Sequence, residues 1–267
     1  MTASAALRTS LHPDFHRPPS KILQLLELRA ISEFGASLAL LPLLRTAPRG
    51  DGHPVLVLPG LIASDISTKP LRAYLTDRGY DVHGWGLGRN LGLRPGLEAK
   101  MEARLRDIHR QSGRKVSIVG WSLGGVYARD LALHAPGMVR YVVTLASPFA
   151  NDIRATNATR LYEALTGEVV DDNAALRELL AGDLPVPTTS IYSRFAGVVN
   201  WKTCLLRPSD TAENIEVYLA SHIGLGVNPA ALWAVADRLA QPEGRFSQFD
   251  RLGPFAIAYA PPEQAQS

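Results

Sequence analysis

Cysteine is nearly absent from the chain, which has 267 residues and a single thiol at Cys204. One cysteine cannot form an internal disulfide, and it cannot supply a cysteine-based metal site. We expect Cys204 to be a small buried hydrophobic residue, with a reactive thiol as the alternative. The composition, 46% hydrophobic and 20% charged, supplies enough apolar material for one sizeable core.

Long hydrophobic runs are also missing. The longest apolar region, residues 22–44, is interrupted by Glu27, Arg29 and Glu33, so it does not have the pattern of a membrane span. The opening MTASAALRTSLHPDFH lacks the continuous apolar stretch of a secretory signal, and we therefore expect a cytoplasmic protein. Residues 20–44 instead predict an amphipathic helical segment, which either covers the domain or makes peripheral contact with a membrane.

Clustered charge is absent as well. The formal net charge is only +3, and the basic residues, mostly arginines, are scattered along the chain. A nucleic-acid-binding surface requires a basic stripe, usually with interleaved aromatic residues. We therefore expect no nucleic-acid partner.

What the chain does contain is a rhythm of short apolar runs alternating with helical patterns. Near-continuous runs of Val, Ile and Leu are typical of parallel strands that are buried on both faces. Helical patterns follow several of them, for example over 96–113 and 124–137. This alternation predicts an α/β fold with a doubly wound, mostly parallel sheet and ligands beyond the carboxyl ends of its strands. The predicted strands are 54–60, 81–88, 115–122, 141–147, 188–193 and 215–221.

The organisation predicts one domain with an insertion. The interval 149–187 is too long for a simple crossover and contains two helical patterns, over 158–167 and 173–185. We expect this interval to form a helical cap over the strand ends. A final helix is predicted over 228–242. The expected boundaries are a disordered tail at 1–19, a single domain at 20–242 and a C-terminal tail at 243–267.

The motif that carries chemistry is VGWSLGG, which contains Gly120-x-Ser122-x-Gly124. A strand-like run leads into it and a helical pattern follows, as a nucleophile elbow requires. Glycines are needed on both sides because the turn is too sharp for side chains there. The alternative is a serine in an ordinary strand-to-helix turn.

A hydrolytic nucleophile also needs a site for the negative charge that its attack creates. The first core strand ends in Pro59-Gly60, where the backbone can turn toward the site. We expect the backbone N–H groups of Leu61 and Leu123 to form an oxyanion hole. A plain Pro-Gly turn is the alternative.

The general base is expected to be His222. It directly follows the last predicted strand, in ASHIGLG, where glycines let a loop bring the imidazole over the sheet. The order serine then histidine matches the hydrolase arrangement. Simpler interpretations suffice for the other six histidines, which lie in the tail, before or within strands, or on helical surfaces: His12, His16, His53, His83, His109 and His134.

With these residues in place, the chain resembles α/β-hydrolase-fold lipases and esterases of the bacterial lipase-like group. The resemblance covers roughly residues 50–242. It rests on LPGL, GWGLGRNLG, GWSLGG, LASPF, IYSRFAGVVNW and SHIGLGVNP. It implies a single-domain carboxylic ester hydrolase acting on a small-molecule ester or lipid, with no metal and no organic cofactor. GWGLGRNLG is not a dinucleotide loop, because Leu91 stands where the third glycine belongs; we expect a flexible rim of the active-site mouth.

The resemblance also implies a departure. Related lipases carry Asp-Gly after the strand that ends here in IYS, so Ala196 stands where the triad acid is expected. Three explanations compete. In the first, the acid position is substituted and the protein is a crippled or trapped hydrolase. In the second, another carboxylate acts as the acid, and in the third, a Ser–His pair suffices for a slow reaction. The candidates for a displaced acid are Asp152 and Asp210, of which Asp210 is better explained as a solvated surface residue.

The resulting hypothesis is acyl transfer through an acyl-serine intermediate at Ser122, with His222 as base. Apolar residues of the cap suggest a hydrophobic acyl chain, although the same residues can simply form a packed core. They are Phe149, Leu161, Leu165, Leu176, Leu179 and Leu180. Two alternatives remain open: a catalytically silent hydrolase-fold protein that binds an acyl ligand or a partner, and an acyltransferase.

Overall fold

A computed structural model describes residues 17–150, 156–157, 163 and 174–262 of the chain. Asp152, the first 16 residues of the predicted tail and nearly all of the predicted cap helix over 158–167 lie outside the described residues. The second cap helix is described over Ala174–Ala181, inside its predicted range.

The centre of the fold is a six-stranded sheet in which all neighbouring strands are parallel. This confirms the predicted fold class. The strand order is β2-β1-β3-β4-β5-β6, so the sheet is wound outward in both directions from β1 and β3. The strands are β1 Pro54–Leu58, β2 Asp81–Gly84, β3 Val116–Trp121, β4 Val139–Leu145, β5 Thr188–Tyr192 and β6 Ala212–Glu216.

The last strand begins earlier than its predicted range of 215–221. Its sequence, AENIE, carries charged residues that an apolar-run criterion rejects. Glu213 is nevertheless buried, because its carboxylate pairs with the buried guanidinium of Arg238 at 2.7 Å. A buried, paired charge can therefore occupy a strand position that the sequence pattern assigns to a loop.

Helices cover both faces of the sheet. Along β1, Val55 and Val57 belong to the core on one face, together with the helices over 69–77 and 229–239. Leu56 and Leu58 pack on the other face with the helices over 97–112 and 123–134. This alternation follows from the two-residue period of a strand. The helices are α1 Lys21–Leu25, α2 Ala30–Ala39, α3 Leu41–Leu44, α4 Lys69–Asp77, α5 Leu97–Ser112, α6 Leu123–His134, α7 Ala174–Ala181 and α8 Pro229–Leu239.

The segment over 20–44 differs from the expected single helix. It consists of α1, a 3-10 turn over Leu26–Arg29, α2 and α3. Its polarity is also inverted, since Glu27 and Glu33 are buried against the domain. Several large apolar side chains face outward instead, with 70–76% exposure for Ile22, Leu25, Leu28 and Ile31, whereas Leu44 at the end of the segment is buried in the core. No helix within the described part of the chain is long and apolar enough to span a membrane.

The segment that follows α8 packs against the domain as far as Ala260, which is buried. Phe249 and Tyr259 are buried, and their rings pack edge to face with centroids 4.8 Å apart. The hydroxyl of Tyr259 donates to the carbonyl of Ala230 in α8 at 2.7 Å. The domain therefore continues beyond the predicted boundary at 242, because aromatic residues of the C-terminal segment complete the core over α8.

Cys204 lies in a short 3-10 turn over Trp201–Cys204 and is fully buried. Burial raises the pKa of its thiol to about 12. A protonated, inaccessible thiol is unreactive at neutral pH, so Cys204 is the small hydrophobic residue that the composition predicts.

Candidate active site

Ser122 lies in the sharp turn between β3 and α6. Its backbone angles, φ 53° and ψ −122°, are strained for a residue with a side chain. A Cβ atom on Gly120 would collide with the backbone of Gly124 and Gly125, and one on Gly124 would collide with the backbone of Leu58 and Pro59. Both glycines of the motif are therefore required by close backbone contacts.

His222 meets Ser122 at the carboxyl edge of the sheet. Its Nε2 atom lies 3.0 Å from the Oγ atom of Ser122, although 100 residues separate them in the chain. The indole Nε1 of Trp121 donates to the backbone carbonyl of His222 at 3.1 Å, which ties the histidine loop to the end of β3. The predicted nucleophile and base are thus within hydrogen-bonding distance, as a base-activated serine requires.

The turn after β1 lies directly against the serine. A Cβ atom on Gly60 would be 3.2 Å from the Cβ of Ser122. Leu61, whose backbone N–H is the first predicted donor, is the residue after Gly60. Leu123, which carries the second, is the first residue of α6, where backbone N–H groups have no acceptor within the helix. Both predicted oxyanion donors therefore belong to backbone segments next to the nucleophile.

Asn90 holds that turn in place. Its Nδ2 donates to the carbonyl of Pro59 at 2.9 Å, its backbone N–H donates to Ala63 O at 2.8 Å, and its carbonyl accepts the N–H of Ile62 at 2.6 Å. Asn90 is fully buried. The GWGLGRNLG loop is therefore fixed to the turn at this residue, whereas the sequence interpretation gave it only as a flexible rim.

The residue at the expected acid position, Ala196, supplies no carboxylate to the imidazole of His222. Ala196 is 3% exposed and its methyl side chain offers no acceptor. Among the described residues the buried Nδ1 of His222 has no hydrogen-bond partner. Burial lowers the pKa of His222 to about 4, and the negative charge of Glu27 opposes that shift. Asp210 lies in the exposed turn before β6, at the opposite end of that strand from His222, so it cannot serve.

Glu27 is the residue near this site that sequence reasoning missed. Its carboxylate accepts backbone N–H groups from His222 at 2.9 Å, from Ile223 at 2.8 Å and from Gly197 at 2.6 Å. It therefore joins the loop that carries the histidine to the loop that should carry the acid. The only sequence feature that marks Glu27 is its position as a charged residue inside the apolar segment 22–44.

Two further residues of the same segment support these loops. Arg29 donates to the carbonyls of Phe195, at 2.6 Å, and Ala220, at 3.2 Å. Glu33 accepts the backbone N–H of Ser221 at 2.9 Å. Through these polar contacts the N-terminal segment holds both the loop after β5 and the loop that carries His222.

A Ser–His–Asp arrangement that does include an acid lies at the opposite edge of the sheet. His53 Nδ1 lies 2.5 Å from Asp51 Oδ1, and His53 Nε2 lies 2.8 Å from Ser117 Oγ. Both His53 and Ser117 are fully buried, so no substrate reaches them. Burial lowers the pKa of His53 to about 4. This cluster is structural, in agreement with the simple interpretation of His53.

Solved structures that share this architecture include lipolytic enzymes and other hydrolases. Lipase B of Aspergillus fumigatus superposes with a TM-score of 0.55 at 19% identity, over 75% of this chain and 57% of that one. An α/β superfamily hydrolase of Oenococcus oeni PSU-1 gives a TM-score of 0.51 at 15% identity, over 69% and 90%. The chain has the α/β-hydrolase fold. A structure from the LipS and LipT pair of metagenome-derived lipolytic enzymes shares this fold, with a TM-score of 0.52 at 16% identity over 72% and 93%.

Sequence relatives of this α/β-hydrolase-fold protein match only part of the chain. The chain matches no protein-family profile. It is 29% identical over 106 residues to a pimeloyl-[acyl-carrier protein] methyl ester esterase of Legionella pneumophila strain Lens, and equally so to that of strain Paris. The match covers 39% of this chain and 43% of each relative, so it spans less than half the length of those proteins.

Proposed function

We propose that the protein is a serine hydrolase that cleaves carboxylic esters through an acyl-enzyme on Ser122. The observation that carries this proposal is the 3.0 Å distance between Ser122 Oγ and His222 Nε2, at a strained elbow beyond the carboxyl ends of parallel strands. The lipolytic and esterase relatives support the same reaction class.

The proposed reaction uses only groups at this edge of the sheet. Ser122 Oγ attacks the ester carbonyl carbon while His222 Nε2 accepts its proton. The carbonyl oxygen takes up the electron pair and faces the N–H groups of Leu61 and Leu123. The imidazolium then donates the proton to the departing alkoxide. Water, deprotonated by the same nitrogen, releases the acid and restores the serine.

The missing acid should make this reaction slow. In a serine protease, replacing the triad aspartate by its amide lowers turnover by about four orders of magnitude, or ~5.5 kcal/mol. Asp152, which follows β4 in sequence, remains our proposal for a displaced acid. If it does not serve, the enzyme operates as a Ser122–His222 pair with the acid position substituted by Ala196.

The expected substrate class is an ester with a hydrophobic acyl chain. Phe149 and Leu180 of the predicted cap are buried, and Arg129 stacks on the Phe149 ring at 4.3 Å, which favours a packed-core role for these two. Leu179 is 49% exposed and stays a candidate for acyl contact. Rates on p-nitrophenyl esters should rise with acyl length if the proposal holds.

Peripheral contact with lipid or an aggregated substrate belongs to the same proposal. The outward apolar side chains of 20–44 lie on the segment that also contacts the histidine loop. Burial of such a surface in a lipid interface is favourable by roughly 25 cal/mol per Å² of apolar area. This supports an enzyme that works at the surface of a hydrophobic substrate.

A fluorophosphonate probe tests the proposed activity. The wild-type protein should be labelled on Ser122, and labelling should disappear in Ser122→Ala. The competing function is a silent acyl-ligand or partner-binding protein, which the unpartnered Nδ1 of His222 favours. Absence of labelling in the folded wild-type protein would decide for that silent binder.

A further inference from the structure

The carboxylate of Glu27 has an unusual environment for a buried charge. It is 6% exposed, and among the described residues no arginine or lysine forms an ion pair with it. Its contacts are backbone N–H groups, two of them from His222 and Ile223. The nearby Glu33 differs, because Arg29 lies 3.7 Å from its carboxylate and Asn228 donates to it at 2.9 Å.

Glu27 lies between the loop that carries His222 and the loop that carries Ala196, the expected acid position. Its Oε1 accepts from Gly197, directly after the alanine at the acid position, and from His222 itself. In a complete triad, a carboxylate from the loop after β5 places negative charge beside the imidazole and orients the ring. Here a carboxylate is buried between the same two loops, but it comes from the 3-10 turn over Leu26–Arg29.

We propose that Glu27 is a positioning residue that supplies the negative charge missing at position 196. It acts without a hydrogen bond to Nδ1: its backbone contacts fix the histidine loop, and its charge stabilises the imidazolium that forms when Ser122 is deprotonated. The charged residues of this segment are Glu27, Arg29 and Glu33, and of these Glu27 is the one whose charge favours protonation of His222. This inference rests on the proposed hydrolase function.

Two substitutions separate charge from shape. Glu27→Gln keeps the length and an acceptor oxygen for the N–H groups of Gly197 and His222, but it removes the charge and the acceptor for Ile223. Glu27→Asp keeps the charge and shortens the reach. If Glu27 acts electrostatically, the glutamine variant should lose about tenfold or more in kcat, equivalent to one pKa unit, with little change in KM. The aspartate variant should retain more activity than the glutamine variant. A purely structural anchor predicts the opposite order.

Glu33→Gln is the matched control, because Glu33 anchors the adjacent N–H of Ser221 from the same segment. It should lower kcat less than Glu27→Gln does, because it weakens support of the same loop without removing the charge that favours the imidazolium. A second test is a double-mutant cycle with Ala196→Asp: Glu27→Gln should cost less in that background, because the new carboxylate takes over the role. Equal losses from Glu27→Gln and Glu33→Gln, or strict additivity in the cycle, would overturn the inference.

The inference can also be tested without turnover. NMR titration of the His222 ring should show a lower pKa in Glu27→Gln than in the wild-type protein, and no shift in Glu33→Gln. If the wild-type protein fails to react with fluorophosphonate, the hydrolase proposal fails, while this titration still reports on Glu27. An unchanged His222 pKa in Glu27→Gln would refute the electrostatic role even in an active enzyme.

Discussion

Placing a carboxylate at position 196 should accelerate the proposed ester hydrolysis. Ala196 directly precedes Gly197, whose N–H and that of His222 share one acceptor oxygen, so the loop after β5 passes close to the histidine. The Nδ1 of His222 is buried and has no partner among the described residues. In Ala196→Asp, the new carboxylate can accept that N–H and stabilise the imidazolium.

Two limits set the gain in kcat that we expect for Ala196→Asp. Satisfying a buried donor is worth about 1–3 kcal/mol, or roughly 5- to 150-fold. The full contribution of a triad acid is about 10⁴-fold in turnover. Because the charge of Glu27 already favours protonation of the imidazole, we expect a gain in kcat of roughly 10²- to 10³-fold, below the full value.

The assay is hydrolysis of a short-chain p-nitrophenyl ester, with active sites counted by fluorophosphonate. Ala196→Asn is the matched control, because asparagine has nearly the same size as aspartate but carries no charge. The acidic limb of the kcat/KM profile should move upward from near pH 4 in Ala196→Asp, since a nearby carboxylate raises the pKa of the imidazole. An unchanged kcat together with a large loss in Asp152→Asn would refute this reasoning and identify a displaced acid.

Three further predictions address the surroundings of the site. Asn90→Ala removes the hydrogen bond to Pro59 O and should lower kcat roughly tenfold without raising KM, because the oxyanion turn loses its support; a change confined to KM would contradict this. The pKa of His53 is about 4 in the fold, below its ordinary 6.5, so the unfolded chain binds more protons between these values. The free energy of unfolding should therefore fall by about 2 kcal/mol between pH 7 and pH 5 on account of His53. Urea titrations should show a smaller fall in His53→Gln, and an equal fall would refute the assignment. Finally, Leu25→Ser combined with Leu28→Ser should reduce flotation with phosphatidylcholine vesicles while leaving hydrolysis of a water-soluble ester intact; unchanged flotation would exclude contact through this face.

Local sequence signals predict the elements that position the nucleophile. The apolar run before Ser122, the flanking glycines and the helical pattern after it all act within a few residues of each other. The structure accordingly has β3, the elbow and α6 close to their predicted bounds. The hydrogen-bonding approach of His222 was also expected from chain order, because parallel strands bring their carboxyl ends to one edge.

Contacts between distant residues are where the sequence interpretation fails. Glu27 and His222 are 195 residues apart, and nothing local to Glu27 indicates that its oxygens will accept backbone N–H groups of two catalytic loops. The same applies to Glu213, whose burial depends on Arg238, and to Tyr259, whose hydroxyl binds α8. Hydrophobic periodicity describes which faces bury apolar area; it does not reveal which buried charges will find partners.

The most direct test of the central claim is the location of the acyl group during turnover. Intact-protein and peptide mass spectrometry of acid-quenched reactions with a p-nitrophenyl ester should show one acyl adduct, carried by Ser122 and absent from Ser122→Ala. His222→Ala should form it far more slowly. Ester turnover that continues in Ser122→Ala, or an adduct at another residue, would contradict the assignment of the nucleophile.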